Sequence, residues 1–143
     1  MAISNIYLHF SGNCEEAFEF YKSVFGGEFS YIGKYKDMPQ ESIDWAYPDG
    51  TENFVMHVGL PISKETMIMG CDVLDQGDDK FIIGNNFSIS ISADSKAEAD
   101  ELFGKLAVGG KIILPMKDQF WGDYFGSIMD KFGIVWILMC PSN

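Results

Sequence analysis

The two histidines of the chain are the side chains best suited to carry a proton near neutral pH. His9 lies in the alternating stretch Asn5-Ile-Tyr-Leu-His-Phe, and His57 lies in Phe54-Val-Met-His-Val-Gly. Both are expected on polar strand faces, where Tyr7 can join them. A neutral imidazole at a cavity wall can act as a general base. The alternative, which we favour, is that each histidine is a hydrogen-bonded wall residue.

The cysteines and carboxylates of the chain indicate a functional site less strongly than the histidines do. The three cysteines, Cys14, Cys71 and Cys140, are odd in number and widely spaced, which favours reduced thiols in a cytoplasm over a disulfide framework. No Cys-x-x-Cys pair indicates a zinc site. An acidic run is expected to be a solvated linker, with a weak cation site as the alternative; it contains Asp72, Asp75, Asp78 and Asp79.

Two alternating stretches predict the strands that position these groups. In the first, Ile6, Leu8 and Phe10 share one face, and Asn5, Tyr7 and His9 share the other. In the second, the apolar face holds Phe87, Ile89, Ile91 and Ala93, and the opposite face holds Ser88, Ser90 and Ser92. Each apolar face is expected to pack on the helix that follows, so the polar face must look into something else.

Those helices repeat each other at an offset of 82 residues. The first is expected to start at an Asn13 cap with Glu16 three residues later, and to end at Gly26-Gly27. Its apolar face is Ala17, Phe20, Tyr21 and Val24. Adding 82 gives a Ser95 cap, Glu98 and the face Ala99, Leu102, Phe103 and Leu106. A repeat of this kind indicates a duplicated unit.

Further strands complete each copy. They are predicted at about Glu28–Tyr35, Asn53–Leu60 and Thr66–Asp72, and again at about Lys111–Leu114, Phe125–Met129 and Ile134–Cys140. A tight hairpin turn is expected at Asp130–Gly133. The sequence therefore predicts an α+β protein of two βαβββ modules, residues 1–75 and 76–143, that form one structural domain. The linker 36–51 carries Trp45 and turn residues, and a loop of that length is often functional.

Composition excludes several kinds of partner. The formal net charge is −11, which argues against nucleic acid and against an anionic membrane surface. The longest apolar run is too short to span a bilayer, and no basic segment followed by an apolar run indicates a signal peptide. We therefore expect a cytoplasmic protein without nucleic-acid or membrane partners.

Two motifs carry a family resemblance. The stretches GNCEEAFEFYKSVFGGE and FWGDYFGSIMDKFGIVW, with the module order, resemble the PhnB-like branch of the vicinal oxygen chelate superfamily of glyoxalases, bleomycin-resistance proteins and dioxygenases. Part of that branch carries a demethylubiquinone methyltransferase label, yet no glycine-rich nucleotide loop is visible here. The resemblance implies mixed sheets that curl into half-barrels around a cavity, and pairing of two chains as a homodimer.

The resemblance also locates a possible metal. Metal-dependent relatives place His, Glu or Gln on the first and last strand of each module, where a divalent ion binds substrate oxygens. These positions correspond here to Asn5, Ser88, Met69 or Cys71, and Ile137. Because only Asn5 and Cys71 can coordinate at all, and both are weak ligands, no metal and no other cofactor is expected.

We therefore expect a protein that binds a small organic molecule in a metal-free cavity. The residues predicted to line it are Asn5, Tyr7, His9, Trp45, His57, Met69, Ser88, Ser90 and Trp121. One alternative is a lyase, isomerase or dioxygenase-type enzyme of the same superfamily, with His9 or His57 as the base or with a metal at another site. Another is a structural or interaction domain. Neither the ligand nor any catalytic residue is assigned by the sequence.

Overall fold

The chain consists of two compact units, Met1–Ile82 and Ile83–Asn143. The computed structural model describes residues 1–39, 41, 45–74 and 80–142. The module boundary predicted between residues 75 and 76 lies outside the described residues, and so do Asp75, Asp78 and Asp79 of the acidic run. No helix in the described part of the chain is both long and apolar enough to cross a membrane.

The first unit has the predicted βαβββ order. Its elements are β1 (Ile6–Phe10), α1 (Cys14–Phe25), β2 (Tyr31–Lys34), a 3-10 turn (Tyr35–Asp37), β3 (Val55–Pro61) and β4 (Met67–Asp72). The sheet order is β1-β4-β3-β2, in which β1 and β4 are parallel and the other neighbours are antiparallel. The result is an open mixed sheet rather than a closed barrel.

The second unit repeats that order. Its elements are β5 (Ile89–Ser92), α2 (Lys96–Ala107), β6 (Lys111–Asp118), β7 (Asp123–Met129) and β8 (Val135–Pro141). The sheet order is β5-β8-β7-β6, again with one parallel pair, β5 and β8. The α+β class and the βαβββ order predicted from the repeat are confirmed, and so are the mixed sheets that the resemblance implies.

The helix faces follow the predicted offset in burial as well as in type. The equivalent pairs Ala17 and Ala99, Tyr21 and Phe103, and Val24 and Leu106 are all buried. Phe20 and its counterpart Leu102 are only half-buried. In the first helix, Phe18 makes the contact with the sheet that was predicted for Phe20. Phe18 is fully buried, and the predicted face did not include it. Both helices therefore pack on their sheets through buried aromatics, which include Phe18 in α1 and Phe103 in α2.

A sheet glycine lies beneath each of these aromatics. A Cβ added at Gly70 of β4 would lie 2.7 Å from the Cε1 of Phe18, and one added at Gly126 of β7 would lie 3.0 Å from the Cε2 of Phe103. Helix and sheet approach this closely only because the strand has no side chain at that point. The two contacts are of the same kind but are formed at positions that are not equivalent, because Gly70 lies on the last strand of its unit and Gly126 on the strand before the last.

The helix caps differ from the prediction in the first unit only. The Asn13 side chain makes no capping hydrogen bond, so the predicted cap is wrong there. Ser95 does cap α2, since its Oγ accepts a hydrogen bond from the Glu98 amide at 3.1 Å. The Glu98 carboxylate accepts one from the Asp94 amide at 3.4 Å, one residue before the cap.

Asp72 takes over the capping role in the first unit. Its Oδ1 accepts hydrogen bonds from the amides of Gly12 (2.8 Å) and Cys14 (3.0 Å), and its Oδ2 accepts one from the amide of Val55 (2.9 Å). The Tyr35 hydroxyl donates to the Asp72 carbonyl oxygen at 3.0 Å. Asp72 is 1% exposed. Its expected place in a solvated linker is therefore wrong, because one carboxylate joins the ends of β1, β3 and β4.

A second buried carboxylate organises the predicted hairpin turn of the second unit. The Oδ1 of Asp130 accepts hydrogen bonds from the amides of Phe132 (2.8 Å) and Ile134 (3.0 Å), and its Oδ2 accepts one from the Trp136 indole (2.8 Å). Gly133 has a φ of 90°, which favours glycine. The turn is confirmed, and its aspartate also satisfies the polar atom of a fully buried tryptophan.

Some strand ends differ from the prediction. Strand β6 runs to Asp118 rather than to Leu114, because the hairpin closes later, through a hydrogen bond from the Gln119 amide to the Asp123 carbonyl (2.7 Å). Phe87 does not join the apolar face of β5. It is 55% exposed, since pairing with β8 begins only at Ile89, opposite Trp136.

We predict that Asp72→Asn destabilises the protein by about 3 kcal/mol. The asparagine side chain has one acceptor oxygen where the aspartate has two. Its NH₂ group must therefore face a backbone N–H group that the carboxylate now satisfies. Urea unfolding of the variant and the wild type measures the difference. Asp49→Asn, at an exposed turn position, is the matched control and should leave the midpoint unchanged. Equal midpoints for the two variants would contradict the anchoring role of Asp72.

Candidate functional site

The face of the first sheet that points away from α1 carries four of the six site residues predicted in the first unit. On β1, Leu8 and Phe10 are buried, whereas Tyr7 and His9 are exposed. On β4, Ile68 is buried between two half-buried neighbours. This surface, the open face, is formed by six side chains: Tyr7, His9, Tyr31, His57, Met69 and Cys71.

Tyr7 and His57 form a hydrogen-bonded pair on the open face. The Tyr7 hydroxyl lies 3.1 Å from the His57 Nδ1, and the two ring centroids are 5.6 Å apart. The residues come from β1 and β3, which are separated in the sheet by β4, where Met69 is paired with Tyr7. A Tyr7 hydroxyl that donates to Nδ1 places the imidazole proton on Nε2.

A thiol and the second imidazole lie beside this pair. His9 is the register partner of Cys71, and its Nδ1 lies 3.8 Å from the Cys71 Sγ. The His9 ring centroid is 5.4 Å from that of Tyr7. The prediction that His9 and His57 converge with Tyr7 on one sheet face is therefore consistent with these contacts. Their role in binding stays a prediction.

Burial changes the acid chemistry of these groups. Desolvation is the largest cause that raises the pKa of Tyr7 to about 12, and the neighbouring Cys71 adds to the shift. Burial also raises the pKa of the Cys71 thiol, against a smaller opposing effect of its hydrogen bond with Tyr7. Both groups are therefore protonated at neutral pH. They act as hydrogen-bond donors rather than as nucleophiles.

Tyr31 is a residue of the open face that the sequence prediction did not include. It lies on β2, and its ring centroid is 6.0 Å from that of His57. The alternation of Tyr31 and Ile32 is the signal that could have identified it, because Ile32 faces the helix side and pairs with the buried Val58. The strand was expected, but its register against β3 was not visible in the sequence.

Two predicted site residues of the first unit lie at its margins. The Asn5 Oδ1 accepts a hydrogen bond from the Met67 amide at 3.0 Å, just before β1 begins. The Trp45 ring packs edge-on against the buried Tyr35, with centroids 6.3 Å apart. Because Tyr35 donates to the carbonyl of Asp72, Trp45 lies at the end of β4 where that carboxylate is buried.

The predicted site residues of the second unit lie at or next to β5 and in the turn between β6 and β7. Ser88 is exposed and precedes β5, and the Ser90 Oγ lies 4.0 Å from the Met139 sulfur. The indole of Trp121 donates to the Asp123 carboxylate at 3.0 Å in the turn between β6 and β7. Its ring also packs edge-on against that of Phe125, with centroids 5.7 Å apart. Trp121 therefore has a fixed orientation although it is 52% exposed.

The residues at the positions where metal-dependent relatives bind an ion do not form a set of metal ligands. Asn5 uses its oxygen on a backbone amide, Cys71 keeps its proton, and Ile137 is apolar. In the part of the chain that the structure describes, no three His, Cys, Asp or Glu side chains are arranged to hold a metal ion. These residues do not fit the divalent ion of the metal-dependent relatives.

Comparison with known proteins gives matches over nearly the full chain. The chain is 28% identical over 137 residues to Protein YjdN of Escherichia coli K12, covering 92% of this chain and 90% of that protein. The crystal structure of protein PA1353 from Pseudomonas aeruginosa superposes with a TM-score of 0.83 at 32% identity, over 99% of this chain and 98% of that one.

A third relative carries a functional name. It is a putative 3-demethylubiquinone-9 3-methyltransferase, PhnB protein, from Bacillus cereus, with a TM-score of 0.73 and 27% identity over 96% of this chain and 98% of that one. A glyoxalase/bleomycin-resistance/dioxygenase domain from Frankia shares the fold, with a TM-score of 0.68 at 14% identity, over 100% of this chain and 93% of that one.

A family model matches residues 3–139, which is nearly the whole chain. Its description is 3-demethylubiquinone-9 3-methyltransferase, the label carried by part of the PhnB-like branch. The resemblance that rested on two sequence motifs is confirmed by this match and by the solved structures. The chain therefore belongs to the PhnB-like family described as 3-demethylubiquinone-9 3-methyltransferase, which has the glyoxalase/bleomycin-resistance/dioxygenase fold.

Proposed function

We propose that the protein binds a small organic molecule on the open face of its first sheet, without a metal ion. The observation that carries the proposal is the Tyr7–His57 pair, in which two polar rings are hydrogen-bonded across the sheet on the face that α1 does not cover. Tyr7 remains 41% exposed although it is fixed by this bond. Ordered polar rings at an accessible surface are typical of binding sites.

The side chains of the open face suit a molecule with apolar surface and a few polar atoms. Two tyrosine rings and the Met69 thioether supply the apolar contact. The thiol of Cys71 stays protonated and can donate to an oxygen or nitrogen of the ligand. The Tyr7 hydroxyl donates its proton to His57, so its oxygen can accept a hydrogen bond from the ligand. His57 can donate or accept according to its tautomer. An anionic ligand is disfavoured by the net charge of −11.

The methyl transfer named in the family description has no support in the first strand–helix turn. Cofactor-binding βαβ units use free backbone amides at this turn to hold a phosphate or ribose group. Here the amides of Gly12 and Cys14 are bonded to the Asp72 carboxylate. The Cβ that Gly12 lacks would also lie 3.2 Å from the ring of Phe54. This turn therefore does not fit the nucleotide-type cofactor that a methyl transfer would need.

The same proposal includes a cytoplasmic homodimer whose ligand cavity is enclosed by the half-barrels of two modules, as the resemblance implies. The exposed apolar side chains of β6 support an interface: Ile112, Ile113 and Leu114 are 52%, 45% and 50% exposed. The strand lies at the edge of its sheet. The unpaired thiols of all three cysteines support a reducing compartment.

We predict that thermal-shift screening of small organic compounds will identify ligands whose effect depends on His57. A ligand at 100 times its Kd adds about 2.7 kcal/mol, which raises the melting temperature by about 10 °C. Because His57→Leu removes the polar centre of the open face, it should abolish most of that shift. Lys64→Ala, in the exposed β3–β4 connection, should leave it intact. Ligands that stabilise the His57 variant as strongly as the wild type would contradict the assigned site.

We also predict that a metal chelator leaves the melting temperature unchanged. A structural metal contributes its binding free energy to folding, so its removal lowers the melting temperature by many degrees. Differential scanning calorimetry with and without EDTA makes the comparison, and metal analysis of the purified protein is the control. One tightly held divalent ion per chain, or a large drop with EDTA, would contradict a metal-free site.

A further inference from the structure

Three rings lie side by side across the open face. The Tyr7, His57 and Tyr31 rings come from β1, β3 and β2, and the His57 ring lies between the other two. Neighbouring centroids are 5.6 Å and 6.0 Å apart, and the corresponding planes are inclined by only 30° and 32°. The aromatic contact between Phe10 and Phe18 in the same unit is tilted much more steeply, at 81°. These three rings are called the aromatic floor.

Gly33 explains why the Tyr31 ring lies low on the sheet. Gly33 is the register partner of His57 on β3, two residues beyond Tyr31 on the same strand. A Cβ added at Gly33 would lie 2.8 Å from the Cζ and 2.9 Å from the Cε1 of Tyr31, closer than real Cβ atoms approach. The ring therefore occupies the space that a side chain at position 33 would fill.

The need for glycine at this position is one of space rather than of backbone conformation. Gly33 is not among the glycines with positive φ, so an alanine can adopt its backbone. Tyr31 is 50% exposed, which means that burial of the ring is not what keeps it against the strand. The strand register and the missing side chain place it next to His57.

We propose that the aromatic floor binds a planar conjugated molecule that lies flat on it, and that Gly33 is a positioning residue that keeps Tyr31 in the floor. This inference rests on the proposed function and adds the class of ligand. A planar π system can face neighbouring rings of the floor in offset stacking, whereas a saturated ring system touches them only through its outermost hydrogens. The negative faces of the rings and the net charge favour a neutral or cationic ligand.

The test compares two neutral probes of the same carbon skeleton. 2-Naphthalenemethanol is planar, and decahydro-2-naphthalenemethanol is its saturated counterpart. The chain has only two histidines, so ¹³C-labelled imidazole signals of His57 and His9 report binding at the floor without crowding. We expect the planar probe to shift the His57 signal and to bind about fivefold tighter than the saturated probe.

Gly33→Ala tests the positioning role without removing any functional group. The new Cβ displaces the Tyr31 ring and leaves Tyr7 and His57 in place, so the preference for the planar probe should fall by about half. Gly104→Ala is the matched control, because a Cβ added there meets nothing within 4 Å, and it should keep the full preference. If Gly33→Ala does not fold, Tyr31→Leu replaces it, with Phe29→Leu as its control; Phe29 lies below the Lys22 ammonium, apart from the floor.

The outcomes separate this inference from the proposed function. Equal affinity of the two probes, with both shifting the His57 signal, overturns the planar class but leaves small-molecule binding in place. Retention of the full planar preference in Gly33→Ala, or in Tyr31→Leu where that variant replaces it, overturns the role of Tyr31 in the floor and of Gly33 in positioning it. If neither probe moves the His57 signal, and the compounds found by thermal shift also leave it unmoved, the proposed function fails together with the inference.

Discussion

The buried carboxylate of Asp72 is the interaction on which the candidate site depends. It accepts hydrogen bonds from amides at the end of the β1–α1 turn and at the start of β3, and it lies itself at the end of β4. These are the strands that carry Tyr7, His57 and Cys71. Because the carboxylate is fully buried, its hydrogen bonds are not weakened by competing water. The open face is therefore built on strands whose ends are fixed to each other.

The two units use one scaffold for different surfaces. Strand order, helix position and the aromatic-over-glycine contact recur, as shown by Phe18 over Gly70 and Phe103 over Gly126. The faces away from the helices do not recur. The first carries imidazoles and tyrosines, whereas the second carries Ser90 beside the Met139 thioether. The two units thus share the strand order and the helix position, whereas the aromatic-over-glycine contact is formed on different strands, β4 and β7, and the outward residues of each sheet differ in chemistry.

Family membership and local chemistry lead to different statements about activity. The family description names a methyl transfer, and the fold is shared with glyoxalases and dioxygenases. A fold alone does not determine a reaction, since function depends on the groups at the site. In this chain those groups are protonated donors and aromatic rings rather than a chelate of carboxylates and imidazoles.

The sequence by itself determined the duplicated βαβββ order, the helix faces and the polar sides of the first strands. These depend on local periodicity and turn chemistry, which neighbouring residues carry: Leu8 against Tyr7, or Gly133 after Asp130. Only the tertiary structure decided that Asp72 is a buried anchor and that Tyr31 lies beside His57. Both facts depend on strand register and on contacts between residues far apart in the chain, which the spacing of residue types along a single sequence does not encode.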